Sequence, residues 1–154
     1  LPGTQSIQDR IDVRLADARA WDEIEGHPAP GGRSLLWARM PDLLDPSDGA
    51  SLAILGDYVP FGIGQALGRA GGGNSLDNTL RVYRLVPTEW VLLDIRSHAV
   101  DHGFSHGAVH LWAEDGTLLA TASQSTIVRL MSPAALAAMA QARATADSDP
   151  PAPV

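Results

Sequence analysis

The sequence predicts an α+β domain in which a curled antiparallel sheet wraps around one long apolar helix. Two observations carry this prediction. Residues 48–69 are apolar on nearly every face, as expected for a helix inside a fold, and Asp57 is the only charged residue between Asp48 and Arg69. Beyond residue 74, β-like segments follow one another with turn signals between them, so the helix has a sheet to pack against.

Two short strands precede the helix. Residues 11–15 alternate in polarity and predict the first strand. Residues 34–40 predict the second, which Pro41 ends. Residues 16–33 lose this periodicity and finish in a run rich in proline and glycine, so they predict a loop.

The predicted helix 48–69 begins with an N-cap residue and contains a proline and glycines that disfavour a regular helix. Asp48 has N-cap chemistry. Pro60 predicts a kink just after Asp57, because proline lacks the N–H that an interior helical position needs. The glycines of this segment predict a close approach by a sheet or a ligand, since each disfavours a helix by about 1 kcal/mol relative to alanine.

Residues 71–74, Gly-Gly-Gly-Asn, predict a flexible break after the helix. Four strands are then predicted, at residues 75–86, 90–100, 103–113 and 117–130. The sequence Glu114-Asp115-Gly116 is a strong hairpin signal between the last two.

These elements divide the chain into four parts. Residues 1–9 are predicted to form an N-terminal lead-in, and residues 10–131 the folded domain. Residues 132–144 are predicted to form a short alanine-rich helix, and residues 145–154 a disordered tail rich in proline and polar residues. The chain begins at Leu1 rather than Met, so we expect a processed product or the downstream part of a longer polypeptide.

Composition excludes several classes of function. The 154 residues carry a formal net charge of −7, which argues against a nucleic-acid surface. The absence of cysteine excludes disulfides, thiolate metal sites and cysteine nucleophiles. Residues 50–67 are long enough for a membrane span, but Asp57, Pro60 and the glycines argue against one. We therefore expect a cytoplasmic protein without a membrane span.

Two patterns that suggest a cofactor or a metal have simpler explanations. Four histidines recur every fourth residue (His98, His102, His106 and His110). On a strand, ligands so spaced lie roughly 13 Å apart and cannot share one ion, so no metal site is expected. The glycine run at residues 71–73 is followed by no Gly-Lys-Ser/Thr, so it is not a phosphate loop. A Gly-x-Ser-x-Gly nucleophile elbow is also lacking.

Three polar residues remain as candidates for chemistry. Asp57 is expensive to bury in an apolar helix, and burial tends to raise the pKa of a carboxyl, which suits a group that handles a proton near neutral pH. It could equally reach solvent or a backbone donor. Ser75 begins a predicted strand, where it could instead cap a turn. Gln124 lies inside the last strand, where it could instead face solvent.

Seven short motifs in register resemble the type II acyl-CoA thioesterases, a family of double hot-dog enzymes. The motifs are Ile11-Asp-Val-Arg14, Leu36-Trp-Ala-Arg-Met-Pro41, Leu52-Ala-Ile-Leu-Gly-Asp-Tyr58, Ser75-Leu-Asp-Asn78, Glu89-Trp-Val-Leu-Leu93, Asp115-Gly-Thr-Leu-Leu-Ala120 and Ser123-Gln124. The resemblance covers about residues 10–130 and corresponds to the second hot-dog half. It implies a hot-dog fold and the hydrolysis of acyl-CoA to a free fatty acid and CoA.

The resemblance also implies a site. Its catalytic aspartate, hydroxyl and glutamine fall on Asp57, Ser75 and Gln124, which would hold and activate a water molecule without a cofactor. Asp77 and Asn78 would lie behind these residues, and Asn78 stands where the family usually has histidine. The predicted acyl pocket consists of apolar side chains around Asp57: Leu52, Ile54, Leu55, Phe61 and Ile63.

The length of the chain leaves its assembly and its activity open. A full member of the family carries two hot dogs and this chain supplies one, so a second hot-dog unit is expected as partner. That unit would be either another copy, in a homodimer, or a separate upstream half. The alternative to an enzyme is a non-catalytic module that binds acyl chains or serves as a pairing subunit. Hydration of an enoyl-CoA is a third possibility, although the helix lacks the Asp-x-x-x-x-His pair for it.

Overall fold

The computed structural model describes residues 7–41 and 48–147. A seven-stranded antiparallel sheet curls around two short helices. The strands are β1 (Asp12–Asp17), β2 (Arg33–Arg39), β3 (Gly71–Ser75), β4 (Thr79–Val82), β5 (Val91–Asp101), β6 (Phe104–Ala113) and β7 (Leu118–Leu130). Six of them lie in the order β1-β2-β5-β6-β7-β3, and the seventh, β4, pairs with β7 on the same side as β3. The helices are α1 (Gly49–Gly56), α2 (Phe61–Leu67) and α3 (Pro133–Asp147), with short 3₁₀ turns at Ile7–Arg10 and Pro30–Gly32.

The core lies between the inner face of the sheet and α1. Strands β5, β6 and β7 alternate buried and less buried positions, as expected for a sheet with one face packed. Apolar side chains from these strands, from β2 and from α1 form one continuous cluster. Leu52 and Leu55 of α1 and Leu93 and Leu111 of the sheet are fully buried within it. The predicted helix inside a curled sheet is therefore confirmed.

The single predicted helix 48–69 is instead two helices. Helix α1 ends at Gly56, residues 57–60 form turns, and α2 begins at Phe61. The helix is therefore interrupted where only a kink was expected, and Pro60, which has no N–H to donate to the ladder of α1, is the N-cap of α2. Asp48 caps α1 as predicted, with its side chain accepting from the Ser51 N–H at 2.8 Å.

The predicted flexible break at residues 71–74 is wrong, because these residues form most of strand β3. The glycines permit the close contacts that the strand makes. A Cβ on Gly73 would lie 2.9 Å from the Ile127 carbonyl oxygen and 3.0 Å from the Ile63 side chain. A Cβ on Gly64 of α2 would lie 2.8 Å from the Gly71 carbonyl oxygen. The sheet, rather than a ligand, therefore explains these glycines.

Other predicted boundaries also shift. The segment at residues 75–86 contains only β4 as a regular strand, and residues 83–90 have no helix or strand, so five strands rather than four follow α2. Helix α3 runs to Asp147, past the predicted end at residue 144. Residues 1–6 of the predicted lead-in and residues 148–154 of the predicted tail lie outside the described residues. Within residues 7–41 and 48–147, no helix combines the length and the apolar character needed to cross a bilayer.

Candidate functional site

The break between the two helices positions Asp57. This residue is the C-cap of α1, and its backbone N–H donates to the Ile54 carbonyl at 3.2 Å. Pro60 follows with a φ of −60° and starts α2. The Asp57 side chain therefore projects from an irregular turn rather than from the middle of a helix.

Three polar side chains from the β3–β4 edge and from β7 converge on one oxygen of Asp57. Gln124 Nε2 makes a short hydrogen bond to Asp57 Oδ1 and donates to Ser75 Oγ at 2.7 Å. Ser75 Oγ donates to the same Oδ1 at 3.5 Å, and Asn78 Nδ2 donates to it at 3.4 Å. The predicted residues Asp57, Ser75 and Gln124 are thus in mutual contact, and Asn78 touches the carboxylate directly.

The residues of this cluster differ in their exposure to solvent. Gln124 is fully buried, whereas Asp57, Ser75 and Asn78 are exposed. The expected burial of Asp57 in an apolar environment is therefore not observed in the single chain, because the turn at residues 57–60 carries its carboxylate to the surface. Gln124 Oε1 is buried without a hydrogen-bond partner among the described residues, while its Nε2 is fully engaged. The amide is therefore held through its nitrogen alone.

A groove of about 990 Å³ runs over this cluster. Residues of the two helices and of the turn between them line one side of it, including Ile54, Tyr58 and Phe61. Asp57 and Asn78 supply its polar groups. Burial raises the pKa of the Tyr58 hydroxyl. The rest of the lining comes from β3 and from the N-terminal part of the chain: Ile7, Ile11, Val13, Leu15, Trp21, Gly72 and Gly73.

The groove is apolar but open. Val13 and Leu15, on the inner face of edge strand β1, remain 40% and 44% exposed. Trp21 is 41% exposed and meets Phe61 edge to face, with ring centroids 6.3 Å apart. A monomer rarely leaves such side chains together in water, so this surface is suited to a ligand or a partner.

The five side chains predicted for the acyl pocket occupy two environments. Ile54 and Phe61 line the groove. Leu52, Leu55 and Ile63 are at most 1% exposed and pack in the interior, because their faces of the helices are turned toward the sheet. Ala53 of α1 and Tyr58 and Pro60 of the turn after it also line the groove.

Sequence reasoning missed part of this lining. Ile54 was predicted together with Leu52 and Leu55, but the run is apolar on every face, so the sequence cannot tell which face meets the groove. Trp21 lies in a segment without periodicity, so the pattern of the sequence does not single it out. A lone tryptophan in a polar loop was the available signal, since aromatic residues are favoured at binding surfaces.

Asp77 lies beside the cluster without touching Asp57. Its Oδ1 accepts from the backbone N–H of Ser125 at 2.8 Å. That bond, the Ser125 hydroxyl and the nearby His106 together hold the pKa of Asp77 below its usual value.

The histidines of the β5–β6 hairpin do not gather around a common point. His98 and His106 have ring centroids 6.1 Å apart, His110 stacks on Trp112, and His102 pairs with Asp101 at the turn. No three histidine, aspartate or glutamate side chains in the described part of the chain are placed to hold a metal ion.

The curled sheet and the helices inside it define a hot-dog domain. The profile described as acyl-CoA thioesterase C-terminal domain matches residues 2–128. The chain belongs to this family, as its sequence motifs implied. A search of curated proteins finds no match.

Solved structures agree with the hot-dog fold. A candidate thioesterase from Novosphingobium aromaticivorans is 39% identical, with a TM-score of 0.65, over 79% of this chain and 44% of that one. A hot-dog protein of unknown function from Alicyclobacillus acidocaldarius is 26% identical, with a TM-score of 0.64, over 86% and 50% of the two chains. The acyl-CoA thioesterase II TesB2 from Mycobacterium marinum shares the fold at 24% identity, with a TM-score of 0.59, over 86% and 55%. The chain thus spans about half the length of these relatives.

Proposed function

We propose that this chain is the catalytic hot-dog half of an acyl-CoA thioesterase, which hydrolyses acyl-CoA to a free fatty acid and CoA. The observation that carries the proposal is the contact of Asp57 with Ser75 and Gln124 at the edge of an apolar groove. A carboxylate held by neutral donors beside an apolar surface can activate water next to an acyl chain.

Gln124 acts in this proposal by orienting the other two residues. A glutamine amide has two N–H hydrogens, and here one bonds Asp57 and the other bonds Ser75. Neither hydrogen is free to reach a substrate carbonyl. Burial holds the glutamine in place, so it fixes where Asp57 and Ser75 stand relative to each other.

The attacking water would lie between Asp57 and Ser75. Asp57 Oδ1 already accepts three donors, whereas Oδ2 receives no hydrogen bond from the described residues. Water can donate one hydrogen to Oδ2 and the other to a free lone pair of Ser75 Oγ, leaving an oxygen lone pair for the thioester carbon. Asp57 takes the proton as the new C–O bond forms. The C–S bond then breaks, and the proton passes from Asp57 to the departing thiolate.

The acyl chain would lie along the apolar lining of the groove. Ile54, Tyr58 and Phe61 are adjacent to Asp57 in the chain and open to the groove. Burying apolar chain against such surface is worth about 0.8 kcal/mol per methylene, which would favour long or branched acyl groups over acetyl.

A second hot-dog unit would complete the site. Besides the groove, large apolar side chains are exposed along the edge that carries β4: Leu76, Val82, Tyr83 and Leu85, each between 45% and 61% exposed. An unpaired strand edge flanked by apolar side chains is suited to pairing with another sheet. Another copy of this chain and a separate upstream half both fit. The solution mass of the chain, alone and mixed with that half, distinguishes them.

The activity is tested by measuring CoA release from acyl-CoAs of increasing chain length, using the assembly that the mass measurement identifies. We expect turnover by the wild type and a loss of about 10²- to 10⁴-fold in Asp57→Asn, the range typical of a general base. Asp101→Asn, at the exposed β5–β6 turn, is the matched control and should keep full activity. Equal rates for wild type and Asp57→Asn would disprove the mechanism.

A non-catalytic acyl-binding or pairing module is the second candidate. The exposure of Asp57 in the single chain favours it, because a general base works best in a site from which bulk water is excluded. Saturable binding of a non-hydrolysable acyl-CoA thioether, without turnover of the thioester by any assembly, would decide for this candidate. A cytoplasmic location stays a prediction.

A further inference from the structure

The edge formed by β3 and β4 contains one extra residue where it passes the Asp57 cluster. Ser75 pairs with Thr126, and Thr79 pairs with Ser123. The chain advances by four residues from Ser75 to Thr79 on the edge, but by only three from Ser123 to Thr126 on β7. This is a β-bulge, and it lies opposite Gln124 and Ser125.

The bulge changes which side chains face inward. Ser75 lies opposite the buried Thr126, and Leu80 lies opposite the buried Ala122. Both therefore face the inside of the curled sheet. They are five residues apart, and an unbroken strand would place them on opposite faces, because side chains alternate.

The same change brings Ser75 and Asn78 together. These residues are three apart, so a regular strand would direct them to opposite faces. Both nevertheless donate to Asp57 Oδ1, at 3.5 Å and 3.4 Å. The extra residue is what allows both donors to reach one carboxylate.

Asp77 closes the gap that the bulge leaves in the ladder. The backbone of Ser125 accepts from the Leu76 N–H at 2.8 Å. In a regular ladder the Ser125 N–H would bond a backbone carbonyl across the strands. Here it donates instead to the Asp77 carboxylate, also at 2.8 Å. The side chain thus replaces a main-chain acceptor and ties the bulge to β7.

We propose that Asp77 is a positioning residue for thioester hydrolysis: it holds the bulge so that Ser75 and Asn78 both reach Asp57. The inference rests on the proposed function, since it concerns the same site. Asp77 makes no bond to Asp57 and acts through the backbone of Ser125. Asn78 then holds the carboxylate by a neutral donor.

The chain offers a matched control for Asp77. Asp115 Oδ1 accepts from the Thr117 N–H, also at 2.8 Å, at the exposed turn between β6 and β7. The two aspartates make the same kind of bond, but only Asp77 adjoins the cluster. Asp115→Ala should keep wild-type kinetics, with any loss of stability comparable to that of Asp77→Ala.

The test compares kcat and KM for acyl-CoA hydrolysis in wild type, Asp77→Ala, Asp77→Asn and Asp115→Ala. We expect Asp77→Ala to lower kcat by about 10- to 100-fold with KM within about twofold, because misplacing a catalytic group by about 1 Å costs rates of this order. Asp77→Asn keeps an acceptor for Ser125 and should recover most of that loss. In a Ser75→Ala, Asn78→Ala background, Asp77→Ala should cost much less, since the residues act as a unit. Full kcat in Asp77→Ala, or an equal loss in Asp115→Ala, would overturn the proposal.

A measurement on the unmodified chain separates this inference from the proposed function. The amide proton of Ser125 should shift in NMR spectra as Asp77 titrates, at a pH below the ordinary aspartate value of 3.8. An inactive wild type with this titration would refute the thioesterase and leave the Asp77 contact standing. An active wild type whose Ser125 amide does not follow an acidic group would refute the contact.

Discussion

The centre of the sheet and its β3–β4 edge are built differently. Strands β5, β6 and β7 have 11, 10 and 13 residues, and their inward positions fill the core. Strands β3 and β4 have 5 and 4 residues, are rich in exposed positions and are separated by a bulge. The long strands supply the packing, and the short ones supply the irregular backbone that presents Ser75 and Asn78 to Asp57. The packed core and the polar cluster around Asp57 thus depend largely on separate parts of one sheet, which meet at Gln124 of β7.

The largest expected effect is a loss of stability when a core residue at the centre of the sheet is truncated. Leu111 of β6 is fully buried in the core. Leu111→Ala should lower the free energy of unfolding by about 2–5 kcal/mol, because it removes buried methyl groups and leaves a cavity. Urea denaturation measures this loss. If the two regions are separable, kcat per folded molecule should stay within about twofold of wild type, and a parallel loss of kcat would contradict the separation.

Gln124→Leu tests the point where the two regions meet. The residue lies in β7 but serves the cluster. Leucine removes both donors that orient Asp57 and Ser75, so kcat should fall by about 10²-fold, the order expected when a catalytic group is misplaced by about 1 Å. It also removes the unpartnered Oε1, so stability should change by less than about 1 kcal/mol. A large loss of stability with intact turnover would show that Gln124 belongs to the packing.

The smallest expected effect is a pH dependence of stability that comes from Glu114, which lies outside the Asp57 cluster. Glu114 accepts from the N–H groups of Trp90 and Glu89 and from the Thr88 hydroxyl, and these bonds lower its pKa below 4.5. A carboxyl with a depressed pKa stabilises the fold above its unfolded value and loses that contribution as pH falls through its folded value. Wild type should therefore be more stable than Glu114→Gln at pH 7. The difference between the two denaturation midpoints should shrink as the pH falls below 4.5, and a difference that does not change with pH would refute the assignment.

The centre of the sheet could be predicted from the sequence. The segments that became β5, β6 and β7 are rich in residues that favour strands and are bounded by turn signals, which mark where strands begin and end. Their predicted ranges agree with the observed strands within about one residue at each end. The apolar segment before them correctly predicts that helices lie inside the sheet.

The β3–β4 edge could not be predicted from the sequence in this way. Glycine has low strand propensity, so nothing local predicts β3 at residues 71–75. Its glycines are explained by tertiary contacts, because a Cβ on Gly71 or Gly73 would lie less than 3.0 Å from atoms of β7. The bulge depends on register between distant segments, which single-sequence patterns do not encode. Asp57, Ser75 and Gln124 came from family motifs, whereas the exposure of Asp57 depends on what covers the groove.

The bulge gives residues 76–78 an unusual sensitivity to length. Exposed connections between strands usually tolerate insertions and deletions. Deleting one residue between Ser75 and Thr79 would bring β3 and β4 into one register along β7 and restore strict alternation. The Ser125 N–H would then regain a backbone acceptor, and the Asp77 carboxylate would no longer be needed to close the ladder. Over evolution, this short stretch should therefore keep its aspartate wherever it keeps its extra residue.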